Sequence, residues 1–352
     1  MSSTRSRPSS ADVPRSLVTI DLAAIRHNAG VLMRVLESSE LWAVVKADGY
    51  GHGAVDVSRA ALEGGATMLC VATVAEGVAL RAALREARIL VLGPTPDDDV
   101  SLAREASLEL TATDERVPED VPVHLKLDTG MGRWGLGELE APGRSVVGVM
   151  THLATSESDP GFARGQLERF RSATEPYAAR YMRHAANSAA ALTLPETRLD
   201  AARCGIALYG VDPFGVDASR FDLRPALRWE SELGQVKRLL PGESTGYGRR
   251  FVATEETWIG IVPVGYADGF RRDLSGTEVV VGKTRAQVVG TVSMDAVAVR
   301  LPEEFARGAP VTLVGEGVSL EDHARVAGTI GYELACGIRT APGRGEREVQ
   351  NG

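Results

Sequence analysis

The chain has 352 residues, 44% hydrophobic and 24% charged, with a formal net charge of −8. That is the composition of an ordinary globular protein, long enough for a large core and two domains. The negative balance argues against nucleic acid or an anionic membrane as the main partner, and no apolar stretch nears the roughly 20 residues that span a bilayer.

The segment 1–15 is rich in Ser, Arg and Pro without an apolar core, and reads as a disordered tail, not a secretory signal. From about residue 40, short apolar runs alternate with amphipathic stretches. The runs are Leu41–Val45, Thr67–Ala72, Ile89–Leu92, Leu108–Thr111, Val121–Leu127, Val146–Met150, the segment around His184, and Ala201–Leu208. Between them Ala54–Glu63, Val74–Glu86, Phe162–Thr174 and Ser188–Thr193 read as helices. Such alternation predicts a parallel sheet with right-handed crossovers, and eight units suit a closed (β/α)8 barrel, with an open doubly wound sheet as the alternative. After about residue 225 the texture changes. Val236–Leu240, Trp258–Val264, Glu278–Val281, Ala286–Val292, Ala296–Leu301 and Pro310–Val314 are short strands between Gly, Pro and charged turns, with one helix pattern at Ser319–Gly328. This predicts a TIM-like barrel over 16–225 followed by an all-β domain, barrel or sandwich, over 226–345. The early run Leu17–Ile20 could pair with that second domain.

Reactive side chains repeatedly follow the apolar runs, where barrel enzymes place their chemistry. The run Leu-Trp-Ala-Val-Val ends in Lys46, before a loop with three glycines. A lysine there can become a base or a Schiff-base nucleophile, or can simply snorkel off the strand end. Lys126 and Asp128 close Val-His-Leu-Lys-Leu-Asp, and Arg133 follows in Thr-Gly-Met-Gly-Arg. His152 succeeds Val-Gly-Val-Met-Thr; His184, Asn187 and Ser188 follow the next run; Arg203 lies in Asp-Ala-Ala-Arg-Cys-Gly-Ile. Each has a plainer reading. His152 could be a core histidine, Arg203 could pair with Asp200, Lys126 could neutralise Asp128, Thr-Gly-Met-Gly could be a positive-φ turn, and Ser188 could cap a helix. A helix start also binds phosphate, so capping and function are compatible. No metal-ligand pattern, Walker loop or Gly-x-Ser-x-Gly elbow occurs. Cys70, Cys204 and Cys336 are odd in number and far apart, which fits a reduced, cytoplasmic protein.

Together the motifs resemble the alanine racemases, fold-type III pyridoxal phosphate enzymes. Ala-Val-Val-Lys-Ala-Asp-Gly-Tyr-Gly-His-Gly is similar to their cofactor-lysine signature. Leu-Lys-Leu-Asp-Thr-Gly-Met-Gly-Arg-Trp-Gly (125–135), Met-Thr-His-Leu-Ala (150–154), His-Ala-Ala-Asn-Ser (184–188), Arg-Cys-Gly-Ile-Ala-Leu-Tyr-Gly (203–210), Val-Gly-Tyr-Ala-Asp-Gly (264–269) and Ser-Met-Asp (293–295) follow in the family's order. The resemblance covers roughly residues 16 to 340. It implies a barrel followed by a β-domain, and a head-to-tail homodimer in which the β-domain completes the partner's site. It also implies a cytoplasmic enzyme that supplies D-alanine for peptidoglycan, with no nucleic-acid or membrane partner. Carried over by position, Lys46 would hold pyridoxal 5'-phosphate and act as one base; Tyr266 of the other subunit would be the opposite base. Arg203 would face the pyridine nitrogen. Tyr50, Asn187, Ser188, Gly205 and Ile206 would make the cofactor site and its phosphate corner. Arg133 and the backbone at Met294 would orient the substrate carboxylate, Lys126 matches a position that is often carbamylated, and His152 would support Tyr266 and Arg203.

Racemisation needs a proton removed on one face and another delivered on the opposite face, so two bases avoid a swing across the ring. Tyr has a reference pKa of about 10 and needs positive charge nearby to serve as a base. The C-terminal stretch Cys-Gly-Ile-Arg-Thr-Ala-Pro-Gly-Arg (336–344) departs from the family pattern, in which a tyrosine after the last cysteine can contact the phosphate; either Arg339 or Thr340 replaces that contact, or nothing does. The readings set against alanine racemase are a racemase of this fold that prefers serine or a broader range, a decarboxylase of the same fold, and a non-catalytic pyridoxal phosphate carrier. The decarboxylase reading needs a Cys-Glu pair and a Gly-rich phosphate loop, and the carrier reading needs a single domain.

Overall fold

The computed structural model describes residues 15–139 and 143–351. The segment read as a disordered tail lies outside them except for Arg15. Two compact units divide the chain. One is Leu22–Ala226; the other combines the described residues up to Asp21 with Leu227–Gln350.

The second unit begins with β1 (Ser16–Asp21), and the chain then enters the barrel unit through α1 (Leu22–Leu36). There follow β2 (Glu40–Val44), α2 (Lys46–Tyr50), α3 (Ala54–Glu63), β3 (Met68–Val71), α4 (Val74–Ala83), β4 (Ile89–Val91), α5 (Val100–Glu105), β5 (Glu109–Ala112), β6 (Val123–Lys126), β7 (Val146–Met150), α6 (Pro160–Thr174), β8 (Met182–His184), α7 (Ser188–Thr193) and β9 (Ala201–Cys204). The eight strands β2 to β9 pair in sequence order, and β9 returns to β2 with Arg203 opposite Trp42. The expected closed parallel barrel is therefore present, and the open sheet is not. Its strands are buried almost throughout, as barrel strands packed inside and covered by helices outside must be.

Caps set the helix starts: the Thr73 side chain accepts from Glu76 N, and Asp159 from Phe162 N with Pro160 in the first turn. The sequence reading left α1 and α5 unassigned. In α1 the buried stripe runs through Ile25, Asn28, Ala29, Leu32 and Leu36, so a polar residue interrupts its centre. Asn28 is satisfied there. It donates to Leu208 O (3.0 Å) and Arg224 O (2.8 Å) and accepts from Arg224 N (2.8 Å). The run read as Ala201–Leu208 ends at Cys204. Gly205 breaks it (φ −108°, ψ −89°), and a 3-10 turn over Ile206–Tyr209 follows.

In the second unit, β10 (Leu227–Glu232), β11 (Gln235–Leu239), the short pair β12 (Ser244–Thr245) and β13 (Phe251–Val252), β14 (Thr257–Val262), β15 (Glu278–Val281), β16 (Thr284–Val289), β17 (Val297–Leu301) and β18 (Pro310–Val314) precede two helices, α8 (Leu320–Ala327) and α9 (Gly331–Gly337), and a last strand β19 (Gly345–Gln350). Nine strands form one sheet in the order β11-β14-β17-β16-β15-β18-β10-β1-β19, over a core that includes Trp229, Phe270, Val281, Val299 and Leu313. β1 runs antiparallel to β10 and parallel to β19. A capping box, Ser319 with Asp322, starts α8. Among the described residues no helix is long and apolar enough to cross a membrane.

Gly210 closes the turn after β9 at φ +72°, and a Cβ there would lie 1.7 Å from Arg224 O. Gly210→Ala should therefore cost about 2–4 kcal/mol through strain and a backbone clash. Urea unfolding of the full chain measures this; an unchanged midpoint would mean that the 224 segment yields freely.

Candidate active site

Lys46 is held by an unusual piece of backbone. Directly after it Ala47, Asp48, Gly49 and Tyr50 all have φ between 50° and 63°, one turn of left-handed helix. Such geometry costs about 1–2 kcal/mol for each residue with a Cβ, so it persists only where the surroundings over-determine it. Here Gly49 N donates to Val45 O (2.9 Å), Gly51 N to Ala47 O (3.0 Å) and Gly53 N to Asp48 O (2.8 Å). Asp48 Oδ1 accepts from Ala54 N (2.8 Å), tying the turn to α3. Glu76, on α4, accepts from Ala47 N (2.9 Å) with one oxygen and from Ala72 N (2.7 Å) with the other. The residue after Lys46 is thus clamped to the end of β3.

Arg203 is buried beneath this rim. Its Nη1 donates to His184 Nδ1 (2.7 Å) and His184 O (2.9 Å); its Nη2 donates to Thr151 O (2.7 Å), Ala185 O (3.3 Å) and His152 Nδ1 (3.3 Å). Among the described residues its acceptors are thus carbonyls and imidazoles and no carboxylate; that of Asp200 accepts from Arg183 N. Burial lowers the guanidinium to about 10, still a cation at neutral pH. His152 is pushed well below the usual histidine range by burial first, then by the charges of Arg203, Lys126, Arg133 and Lys46. It is neutral. Because its Nδ1 accepts from Arg203, its proton sits on Nε2.

Tyr50, Ser188, Gly205 and Ile206 converge at one corner. Ser188 Oγ accepts from Gly205 N (3.0 Å) and Ala207 N (3.4 Å). A Cβ on Gly205 would sit 2.5 Å from the Tyr50 hydroxyl, so only glycine lets that hydroxyl approach the backbone. The Tyr50 ring lies against Tyr209 (centroids 4.9 Å), whose hydroxyl donates to Val44 O (3.0 Å). The cap of α7 is Asn187, not Ser188: Asn187 Oδ1 accepts from Ala190 N (3.0 Å), which leaves Ser188 turned to the 205–207 backbone.

Lys126 is lowered to about 8, by burial first and then by Arg133 and Arg203. Its Nζ lies 5.8 Å from the centroid of Trp134, and Arg133 stacks over the same ring at 5.2 Å. The charge of Asp128 acts against those of Arg133 and Arg203 and raises Lys126, but its oxygens are taken up by backbone N–H groups. Burial raises that carboxyl, but the N–H groups of Gly130, Gly132 and Met131 outweigh burial and hold it below the usual range. Gly130 and Gly132 do adopt positive φ, at 127° and 67°.

Tyr266 and Met294 lie in the other unit, on adjoining loops. Tyr266 N donates to Ser293 O (3.0 Å) and Ala267 N to Met294 O (3.0 Å). Gly265 admits this approach, since a Cβ would meet Ser293 O at 2.3 Å. Tyr266 is 40% exposed and Met294 54%. Behind them the buried Asp268 carboxylate accepts from Gly265 N (2.9 Å) and takes both arms of Arg344 (2.7 and 3.1 Å). Arg339 meets the same residue through its backbone, N to Asp268 O at 3.0 Å. The divergent C-terminal stretch therefore braces the Tyr266 loop.

Two family models match, "Alanine racemase, N-terminal domain" over residues 20–213 and "Alanine racemase, C-terminal domain" over 226–345. The chain belongs to the alanine racemase family. It is 39% identical over 347 residues to the alanine racemase of Listeria monocytogenes serotype 4a, covering 91% of this chain and 94% of that protein. It is 40% identical over 355 residues to that of Lactiplantibacillus plantarum, with the same shares. The crystal structure of the E. faecalis alanine racemase superposes with a TM-score of 0.88 at 37% identity, covering 96% of this chain and 98% of that one. The alanine racemase from Streptomyces coelicolor A3(2) gives 0.87 at 35%, over 96% and 98%.

Within this alanine racemase framework the sequence reading missed Glu76, Asp268 and Arg344. Glu76 follows Thr73 by three, a spacing that signals a helix start and says nothing of the distant Ala47. Replacing Glu76 with Gln leaves one oxygen for two N–H groups and turns an NH2 onto the other. We expect a loss of about 1–3 kcal/mol in chemical unfolding. No change in stability would show that the left-handed turn holds without the clamp.

Proposed function

We propose that the chain interconverts L- and D-alanine with pyridoxal phosphate, using Lys46 as one base and Tyr266, supplied by a second copy of the chain, as the other. The observation that carries this reading is a strand-end lysine set among Lys126, Arg133 and Arg203, cations that act on one another strongly enough to help hold Lys126 at about 8. The carboxylate of Asp128, two residues after Lys126, is spent on loop amides. Such a rim favours anions.

The donor set fits pyridoxal phosphate. Lys46 would hold it covalently. Tyr50, Ser188 and the backbone of Gly205 and Ile206 would take the phosphate, with Asn187 fixing the helix start beside it. Arg203 would face the ring nitrogen. When bound, the cofactor supplies an electron sink that acidifies the α-hydrogen of an amino acid. The rest is the chain's own work. Arg203 has donors only, so it orients a ring nitrogen without giving up its proton. Arg133 and the backbone at Met294 would orient the substrate carboxylate. Lys46 would move a proton on one face and Tyr266 on the other. His152, neutral with its proton on Nε2, could donate to the Tyr266 oxygen and orient it.

The exposure of Tyr266 and Met294 on the second unit supports a scheme in which a partner subunit supplies them. The family role is D-alanine supply for peptidoglycan; action in the cytoplasm rests on the family resemblance. Lys126 completes the proposal. At about 8 much of its amine is neutral at mildly alkaline pH and can add CO2, with loss of a proton, to give an anionic carbamate. That would replace the repulsion between Lys126 and Arg133 with an attraction.

Borohydride should fix the cofactor to Lys46; a peptide map with Lys46 unmodified would overturn the assignment. Tyr266→Ala should slow α-hydrogen exchange from one antipode by ~10³-fold and from the other far less. Equal, small losses would argue against two bases. With 13C-bicarbonate, a carbamate carbon signal should appear and vanish in Lys126→Ala, and it should fade as the pH falls below about 8. Racemisation assays on L-Ala, L-Ser and L-Lys set the substrate range.

A further inference from the structure

Arg203 is a buried cation whose hydrogen bonds go to carbonyls and two imidazoles. A buried charge is costly unless it is paired, so its counter-charge has to lie further along the network. His184 accepts from Arg203 at Nδ1, and its Nε2 lies 2.9 Å from His124 Nδ1. His124 Nε2 lies 2.9 Å from Glu109 Oε2, at the start of β5. Arg88 closes the chain, donating from Nε to Glu109 Oε1 (2.9 Å).

The chemistry of the two ends fixes the direction of every link. A guanidinium only donates, so His184 Nδ1 carries no proton and the neutral ring bears it on Nε2. That proton is donated to His124 Nδ1, so the proton of His124 sits on Nε2 and points at Glu109. A carboxylate only accepts, so the Glu109 end demands the same arrangement independently. Both rings are held neutral, since burial pushes each below the usual histidine range. The setting leaves little room for another arrangement. Trp42 lies against both imidazoles, at 5.6 and 4.4 Å between centroids, with its own N–H committed to Glu40 (2.8 Å). Gly148 makes space for His124, because a Cβ there would lie 2.2 Å from His124 Nδ1. Arg88 and Glu40 are the other charges at the Glu109 end; Lys46, Lys126 and Arg133 are those at the rim.

We propose that Glu109 is the counter-charge and positioning residue of Arg203, acting through His124 and His184 across the barrel interior. Its carboxylate draws the two imidazole protons one way, and this leaves His184 Nδ1 a fixed acceptor that holds the guanidinium in one orientation. Only the consequence for catalysis rests on the reading that Arg203 faces the cofactor ring.

Nitrogen-15 NMR of the purified full-length protein tests this directly, with only six histidines to assign. At neutral pH His124 and His184 should both be neutral with the proton on Nε2. In Glu109→Gln, where the amide oxygen can still accept, the Nε2–H of His184 and the guanidinium signals of Arg203 should shift, although neither touches residue 109. Glu109→Asp should restore both. Finding either ring protonated on Nδ1 or doubly protonated, or His184 and Arg203 unmoved in Glu109→Gln, would overturn the proposal. The tautomers of the unaltered protein decide the matter even if the variant fails to fold or the enzyme proves not to racemise alanine.

Discussion

A guanidinium in the middle of a closed barrel must be surrounded by acceptors before the barrel can form, and Arg203 shows where they come from. The carbonyls of Thr151, His184 and Ala185 lie at the C-terminal ends of neighbouring strands, and that of His184 accepts from Thr151 N as well as from Arg203. The ends of β7 and β8 are therefore set as much by Arg203 as by their own pairing. The same charge reaches outward. Together with burial and the other rim cations it helps keep His152 neutral and Lys126 only weakly basic.

The second constraint is conformational. Lys46 emerges from a strand and enters a left-handed turn, an arrangement that ordinary residues resist. Glycines at 49, 51 and 53 relieve part of the cost. Asp48, Glu76 and α3 supply the remainder as hydrogen bonds to backbone N–H groups. The lysine is thereby presented by rigid backbone, and its motion is confined to its own side chain. The Tyr266 loop solves the same problem differently. It is held by backbone pairing to 293–294 and by a buried carboxylate gripped by Arg344.

The barrel was legible because fully buried strands leave short apolar runs, and because side chains with chemistry cluster where those runs stop. The rim residues could be read for the same reason, together with the family motifs. Long-range hydrogen bonds could not be. Nothing in Val-His-Leu-Lys says that His124 points inward at another histidine, and nothing in Leu-Glu-Leu-Thr says that Glu109 faces it, because strand alternation assigns a face without assigning a partner. Helix α1 escaped notice because its buried stripe carries Asn28, which looks polar until its three backbone partners are in place. In sequence the C-terminal stretch only puts the family's phosphate contact in doubt; the fold adds its brace on Asp268, a pairing that joins positions far apart in sequence.

The placement of β1 sets an order of events during synthesis. The strand is made first, yet it lies between β10 and β19, and its register partner for Leu17 is Glu230. At about 5–20 residues per second the ribosome takes roughly 10–40 s to deliver that partner. All the residues of the barrel are made in the interval, so the barrel can close while the leading strand waits with both edges unpaired. One edge is taken up once β10 emerges. The other stays open until the chain's final strand arrives, which makes early release or C-terminal trimming an invitation to edge-to-edge association.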